Sequence, residues 1–398
     1  MRHLDDDERR RRLGTRHRLA PGTRDGDVVA AAASVVGLHG TDPASTFLAA
    51  WARTEGVHVA EVERALYDDR SIVRVLAMRR TVFAVPAVNV PVVLAGAADD
   101  VAREERRKLH LQLAASGIDD PATWLEAVAR VAVDHVRSEG EVTSTELAAA
   151  DERLATPLVL AAGTRNETTQ KVASRLLTML SAEGRVVRTR PRGSWTSSQF
   201  RWSTLDLWSP GASATVDPLE AEAALARLWL ARFGPALPDD LTWWTRWTKT
   251  RTRRALAASG AVEVPLDGGT GVVLPDDLEP TPPVEPWAAL LPALDPTTMG
   301  WKQRDWYLGD HGTALFDVNG NASPTAWWDG RIVGGWAHQP SGEISIRLLD
   351  DVGAEAATAF DACAERLVGQ LGDVRLTARA RGYSPLEKEL LGRTTGRQ

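Results

Sequence analysis

The sequence predicts an α+β fold: three tandem winged-helix units followed by a small C-terminal sheet or β-barrel with one packed helix. Three observations carry this expectation. Helical apolar spacing followed by a β-branched hairpin recurs three times before residue 275. A proline-rich stretch, Pro275 to Pro286, then interrupts the pattern as a linker does. Beyond it, apolar residues alternate with polar ones as they do in strands. The expected segments are 1–115, 116–215 and 216–280 for the three helix–hairpin units, and 281–398 for the barrel.

Taken in order, residues 1–20 are charged and include an arginine run from Arg9 to Arg12, read either as a solvated helical face or as a phosphate-contacting arm. Asp27 caps a helix beginning at Val28, and Gly37-Leu-His-Gly-Thr-Asp-Pro43 breaks the chain before a second helical stretch, Ala44 to Arg53. Val59 to Leu66 is a third short helix. Ser71 to Leu76 and Thr81 to Pro86 are β-branched and predict a hairpin. The order then recurs. Pro121 sits just inside a helix running to Arg137, and Thr143-Ser-Thr-Glu146 has the form of a capping box. Thr168 or Thr169 is expected to cap a helix through Ala182, and Arg185 to Trp202 reads as a two-stranded wing. In the third round a helix from Asp217 to Phe233 precedes one continuous helix from Leu241 to Ser259. A hairpin then joins Gly260–Pro265 to Gly271–Leu274. Past the linker, strands are expected at Ala314–Val318, Thr325–Trp336, Glu343–Leu349 and Val374–Ala380, with a helix at Ala354–Leu371.

Composition narrows the function classes. The chain has 398 residues, 43% hydrophobic and 25% charged, which excludes a wholly disordered or fibrous protein. No run approaches the ~18 apolar residues of a membrane span, so no membrane partner is expected. The charged start lacks an apolar signal core, and a cytoplasmic, nucleoid-associated location is the expectation. A single cysteine, Cys363, excludes an intramolecular disulfide and a Cys-ligated zinc site. The net charge of −6 argues against a protein that is basic throughout, not against local basic surfaces. Arginine outnumbers lysine 42 to 5, so the cations are mostly planar forks suited to phosphate and base edges, although GC-rich coding is the plainer source of that bias. Fifteen tryptophans against three tyrosines call for aromatic packing on a large scale.

Charge distribution singles out two windows. Residues 184–205 hold Arg185, Arg188, Arg190, Arg192 and Arg201 with no acid, interleaved with Ser194, Trp195 and Ser197. Residues 241–262 hold Arg246, Lys249, Arg251, Arg253 and Arg254, again with no acid, beside Trp243, Trp244 and Trp247. On a continuous helix Arg246, Lys249 and Arg253 share a face. One such window is most simply an arginine-rich solvated face. Two of them, both where winged helices contact DNA, point to nucleic acid.

These segments together carry a family resemblance. Gly37-Leu-His-Gly-Thr-Asp-Pro43 with Trp51-Ala-Arg53, Met78 to Phe83, Arg190 to Trp195, Leu290 to Pro296, and Gly320 to Thr325 with Asp329 to Trp336 resemble the winged-helix superfamily containing the AlkZ-type DNA glycosylases. The resemblance spans roughly residues 10–390. It implies a C-shaped assembly around duplex DNA. It also implies a catalytic position, where the family carries Gln-x-Gln or Gln-x-Asp and this chain has His39, Gly40 and Thr41, followed by Asp42. Departure of a cationic N-alkylpurine asks mainly for an anionic group and a held water, and Asp42 and His39 are chemically able to supply them. Thr41 fills the remaining motif position. The alternatives are structural: His39 as a hydrogen-bonded residue ending a helix, Asp42 as a cap before Pro43.

Other candidates are weaker. Asp310-His311 and His338 lack a third ligand at metal spacing, the glycines at 163 and 268–271 lack a following Lys-Ser/Thr, and Ser194 lacks a strand–turn–helix setting. No metal and no cofactor are expected. Three readings follow: a DNA glycosylase or lesion-recognition enzyme acting on alkylated duplex DNA, a non-catalytic DNA-binding regulator or damage sensor, and a protein-interaction scaffold. A monomer is expected in each.

Overall fold

The computed structural model describes residues 2–161, 163–165, 167–377 and 382–393. The chain is a mixture of helices and antiparallel sheets whose contacts gather into two compact units, residues 66–222 and residues 1–65 with 223–398. Among the described residues, no helix is long and apolar enough to cross a membrane.

In the 66–222 unit the β-branched runs pair as expected, Ile72–Ala77 against Thr81–Pro86 and Val186–Pro191 against Phe200–Thr204. The two hairpins join through the Arg74 and Arg188 positions, and Val142–Thr143 adds to the outer strand opposite Trp202. Helices Asp99–Ala115, Pro121–Glu139 and Val172–Ala182 bury leucine and valine stripes in one cluster that includes Leu109, Leu125, Val136, Leu176 and Leu180. Thr143 and Glu146 form the expected capping box. The helix expected from Thr168 begins instead at Val172. Thr168–Lys171 is an exposed strand paired with Pro157–Leu160, because the β-branched threonines find a partner edge there. Glu105, buried on Asp99–Ala115, accepts from Arg80 at 2.6 Å and from Arg175 at 3.1 Å and so fixes Val172–Ala182 in place.

In the other unit the tryptophans explain themselves. Trp229 stacks on Phe233, Phe233 meets Trp301 edge-on at 5.1 Å, Trp301 meets Trp306 at 5.0 Å, and Tyr307 stacks on Trp327 at 5.3 Å. The residues 288–348 give a four-stranded antiparallel sheet, Ala288–Leu291, Thr325–Trp328, Arg331–His338 and Ile344–Leu348 in that order, with helix Gly353–Leu371 packed on Ala288–Leu291. Among the described residues its order is open, so of the expected small sheet or barrel it is the sheet that forms. The turn at Asp329-Gly330 has positive φ at both residues, as a two-residue hairpin connection requires. Ala314–Val318, expected as a strand, instead ends the helix Gly312–Leu315, and 374–377 carry no strand. The rest of the expected last strand, 378–380, lies outside the described residues.

The arginine run is neither a solvated face nor a free arm. Arg9 and Arg12 are buried on the helix Asp6–Arg16. Arg12 donates to Glu8 at 2.7 Å and to the carbonyls of Asp277 and Glu279, so it ties the helix to the proline-rich segment. Arg9 lies 4.1 Å above the Trp306 ring.

Candidate functional site

The loop between His39 and Pro43 is set by the helix that follows it. Pro43 occupies the first turn of Pro43–Trp51, where its missing N–H costs nothing, and the Asp42 carboxylate accepts from the Ala44 N–H at 3.1 Å. Thr46 donates from its hydroxyl to the His39 carbonyl at 3.0 Å, and Ser45 to the Ala293 carbonyl at 3.3 Å. At the other end of the helix Arg53 is wholly buried. Its two terminal nitrogens donate to both Asp295 oxygens at 2.7 and 2.9 Å, and further to Ala49 O and Thr297 Oγ1. The Asp42 helix is therefore fixed at both ends to the segment 293–297.

The structure separates the residues that the sequence put side by side. Asp42 lies on the wall of a cavity of about 280 Å³ within this unit, together with Ser45, Pro292, Trp336, His338 and Glu387. His39 turns away from it. The imidazole is 6% exposed, its Nδ1 has no partner among the described residues, and burial pushes it down to about 4 despite the Asp295 charge. It is neutral at pH 7, and Asp295 is the carboxylate it feels. Thr41 is half-buried.

His338 is the residue that sequence reasoning set aside. Its Nδ1 accepts from the Leu376 N–H at 3.2 Å, so the ring proton sits on the buried Nε2, near the Gly342 backbone. Burial and the Arg375 charge keep the ring neutral. The signal was the two-residue period of the strand Arg331–His338, which puts Trp336 and His338 on one face.

The two basic windows differ. In 184–205, Arg190 pairs with Asp68 at 3.0 Å and lies over the Tyr67 ring, while Arg185 reaches Glu183 at 3.6 Å. Arg188 lies over the Phe200 and Trp202 rings, and Arg192 is exposed on the turn that follows the strand. Arg201, half-buried, stands on the partner strand. Ser194 bonds to Thr196, and Ser197 accepts from the Gln199 N–H, so both hydroxyls also shape the turn. Trp195 is 7% exposed and packs into the unit.

In 241–262 the expected single helix is two, Pro238–Thr245 and Lys249–Ala258. Arg246 takes the left-handed conformation between them, with φ of 63°, so it leaves the helical face that Lys249 and Arg253 still share on the second helix. All three are exposed, and Lys249 pairs with Asp239 at 3.6 Å. Trp244 and Trp247 are core residues.

Among the described residues, no group of three His, Cys, Asp or Glu side chains converges on a metal position, and His311 pairs with Asp350 at 2.9 Å. The sequence matches the family described as DNA glycosylase AlkZ-like over residues 32–369. The fold is similar to that of the solved Streptomyces sahachiroi DNA glycosylase AlkZ, with a TM-score of 0.71 and 18% identity over 94% of this chain and 98% of that one. No curated protein matches the sequence.

Proposed function

Because the chain belongs to the AlkZ-like DNA glycosylase family, we propose that it binds duplex DNA and hydrolyses the N-glycosidic bond of alkylated purines. The observation that carries this reading is Asp42, fixed at a helix N-terminus on a cavity wall at the position next to the family's catalytic motif. In the step, the C1′–N bond breaks and its electron pair neutralises the cationic base. Water forms the new C1′–O bond and loses its proton to Asp42 or to solvent. A carboxylate held beside the sugar stabilises the developing positive charge and needs no reorganisation to do so. His338 Nε2–H, neutral and on the same wall, offers a donor without adding a charge that repels a cationic base. The basic windows supply the phosphate contacts; Arg192, Arg246, Lys249, Arg253 and Arg254 are exposed, and Arg201 is half-exposed.

A second reading, a non-catalytic DNA-binding regulator or damage sensor, is favoured by one observation. His39 stands where the family carries its first glutamine, and it is buried and uncharged. Two measurements separate the readings. Binding to duplex DNA that weakens steeply with salt supports either, and no binding at low salt rejects both. Release of 7-methylguanine from alkylated duplex then selects the first, and tight binding without release selects the second. A variant with Arg190 and Arg192 replaced binds weakly but keeps its single-turnover rate at saturating enzyme; a lost rate there contradicts their assignment to phosphate contact.

A further inference from the structure

Within the 66–222 unit a second cavity, of about 560 Å³, lies beside the hairpin Val186–Pro191 and Phe200–Thr204. Its lining contains two arginines, Arg188 and Arg192, and no carboxylate. The other polar groups are neutral, among them the hydroxyls of Ser144 and Ser174, the amides of Gln170 and Gln199, and Thr178, whose hydroxyl donates to the Ser174 carbonyl at 3.1 Å. They come from helices Ser144–Ala150 and Val172–Ala182, strand Thr168–Lys171 and the turn before Phe200.

Arg188 is the unusual member. Among the described residues its guanidinium has no hydrogen-bond or ion-pair partner and is held 5.1 Å from the Phe200 centroid and 5.4 Å from Trp202. The charge it faces across the sheet is like, not opposite. Arg74 is its strand partner, and Arg74 is 2% exposed and donates to the Tyr67 hydroxyl. Burial first, and the Arg74 charge second, push Arg188 down to about 10. The ring faces recover part of the desolvation cost, but they do not neutralise the charge. Glu146 feels the Arg192 charge, yet its carboxylate accepts from the Thr143 N–H at 2.7 Å as part of the capping box. The positive field of two arginines, with a third behind them, therefore opens on a cavity rich in neutral donors.

We propose that this cavity is a phosphoryl-binding site, in which Arg188 and Arg192 hold one phosphate and the surrounding hydroxyl and amide groups complete its shell. A tetrahedral oxyanion accepts from several directions at once, which suits donors arriving from four elements. The volume admits a whole nucleotide unit. The phosphate comes either from a nucleic-acid strand or from a free nucleotide. This site goes beyond the surface contacts of the preceding section, because half-buried Arg188 stands inside the cavity and Arg192 reaches it from the exposed turn.

The test uses the full chain with inorganic phosphate as the probe, followed by phosphorus NMR line broadening. Saturable binding is expected, weakened about tenfold in Arg188→Gln and in Arg192→Gln, the loss of one charge-assisted fork, and unchanged in Arg103→Gln, whose exposed cation is paired with Asp99. Should Arg188→Gln fail to fold, Arg192→Gln, on the exposed turn, decides. No phosphate binding by the wild type, or equal binding in all variants, overturns the site. Displacement of phosphate by duplex DNA assigns the phosphoryl group to a strand; displacement by a deoxynucleoside 5′-monophosphate but not by duplex assigns it to a free nucleotide. If duplex binding is absent and phosphate binding present, the DNA-binding reading fails and this site stands. If duplex binds while phosphate does not, this site alone fails.

Discussion

Replacing Arg53 by methionine strands a carboxylate. Asp295 and Arg53 are both wholly buried, joined by two bonds of 2.7 and 2.9 Å, and Arg53 makes two more bonds to Ala49 O and Thr297 Oγ1. Charge centres about 4 Å apart at an effective dielectric of about 20 attract by roughly 4 kcal/mol. Removing one member of a buried pair generally costs about 3–5 kcal/mol, since the other charge remains without a counterion. Arg53→Met is therefore expected to lose about 4 kcal/mol in urea denaturation followed by tryptophan fluorescence, with the slope unchanged. Arg53→Met combined with Asp295→Leu removes the stranded charge as well and is expected to regain more than half of that loss. A single variant that loses under about 1 kcal/mol, or a double variant no better than the single, refutes the clasp. The clasp matters for function because it fixes the far end of the helix whose first turn holds Asp42.

Three further outcomes follow from the same structure. Arg246→Gly is expected to stabilise the protein by about 0.5–1 kcal/mol, because glycine relieves the left-handed residue between two helices; a loss of about 1 kcal/mol in thermal or urea unfolding is what a continuous helix predicts. His39, pushed down by burial to about 4, is neutral when folded, whereas its unfolded counterpart takes a proton near pH 6.5. The unfolded state then binds more protons in that interval, so this histidine's share of stability is complete above about pH 6.5 and is lost as pH falls toward 4. Stability measured against pH flattens there in His39→Asn, and an unchanged acid limb contradicts the burial. In duplex binding, Arg201→Gln lowers the salt slope by about 0.9, while Arg190→Gln, already paired with Asp68, lowers it less; equal effects from both reject the pairing in solution.

Much of the fold was legible because it rests on local periodicity. The hairpins at 72–86 and 186–204, the capping box at Thr143, and the cap at Asp27 each follow from residues within a few positions of one another. What was hidden depends on distant partners. Arg9 and Arg12 looked like a solvated run because their partners, Asp277, Glu279 and Trp306, lie more than 260 positions away. The Arg53–Asp295 pair spans 242 positions. The helix break at Arg246 carries no glycine or proline to announce it, and an arginine in a left-handed turn looks like any helical arginine. At the candidate site the sequence placed His39 and Asp42 together, whereas the helix cap directs Asp42 to the cavity and the strand turns His39 into the core. His338 entered only when the sheet placed its strand on the same wall.

The central claim is that Asp42 carries the chemistry, and single-turnover release of 7-methylguanine from alkylated duplex at saturating enzyme tests it most directly. The wild type is expected to release the base, and Asp42→Asn, which keeps an oxygen for the Ala44 N–H and so preserves the helix cap, is expected to lose about 10²–10³ in rate at unchanged duplex affinity. Release at the wild-type rate by Asp42→Asn, or no release by the wild type, contradicts the account.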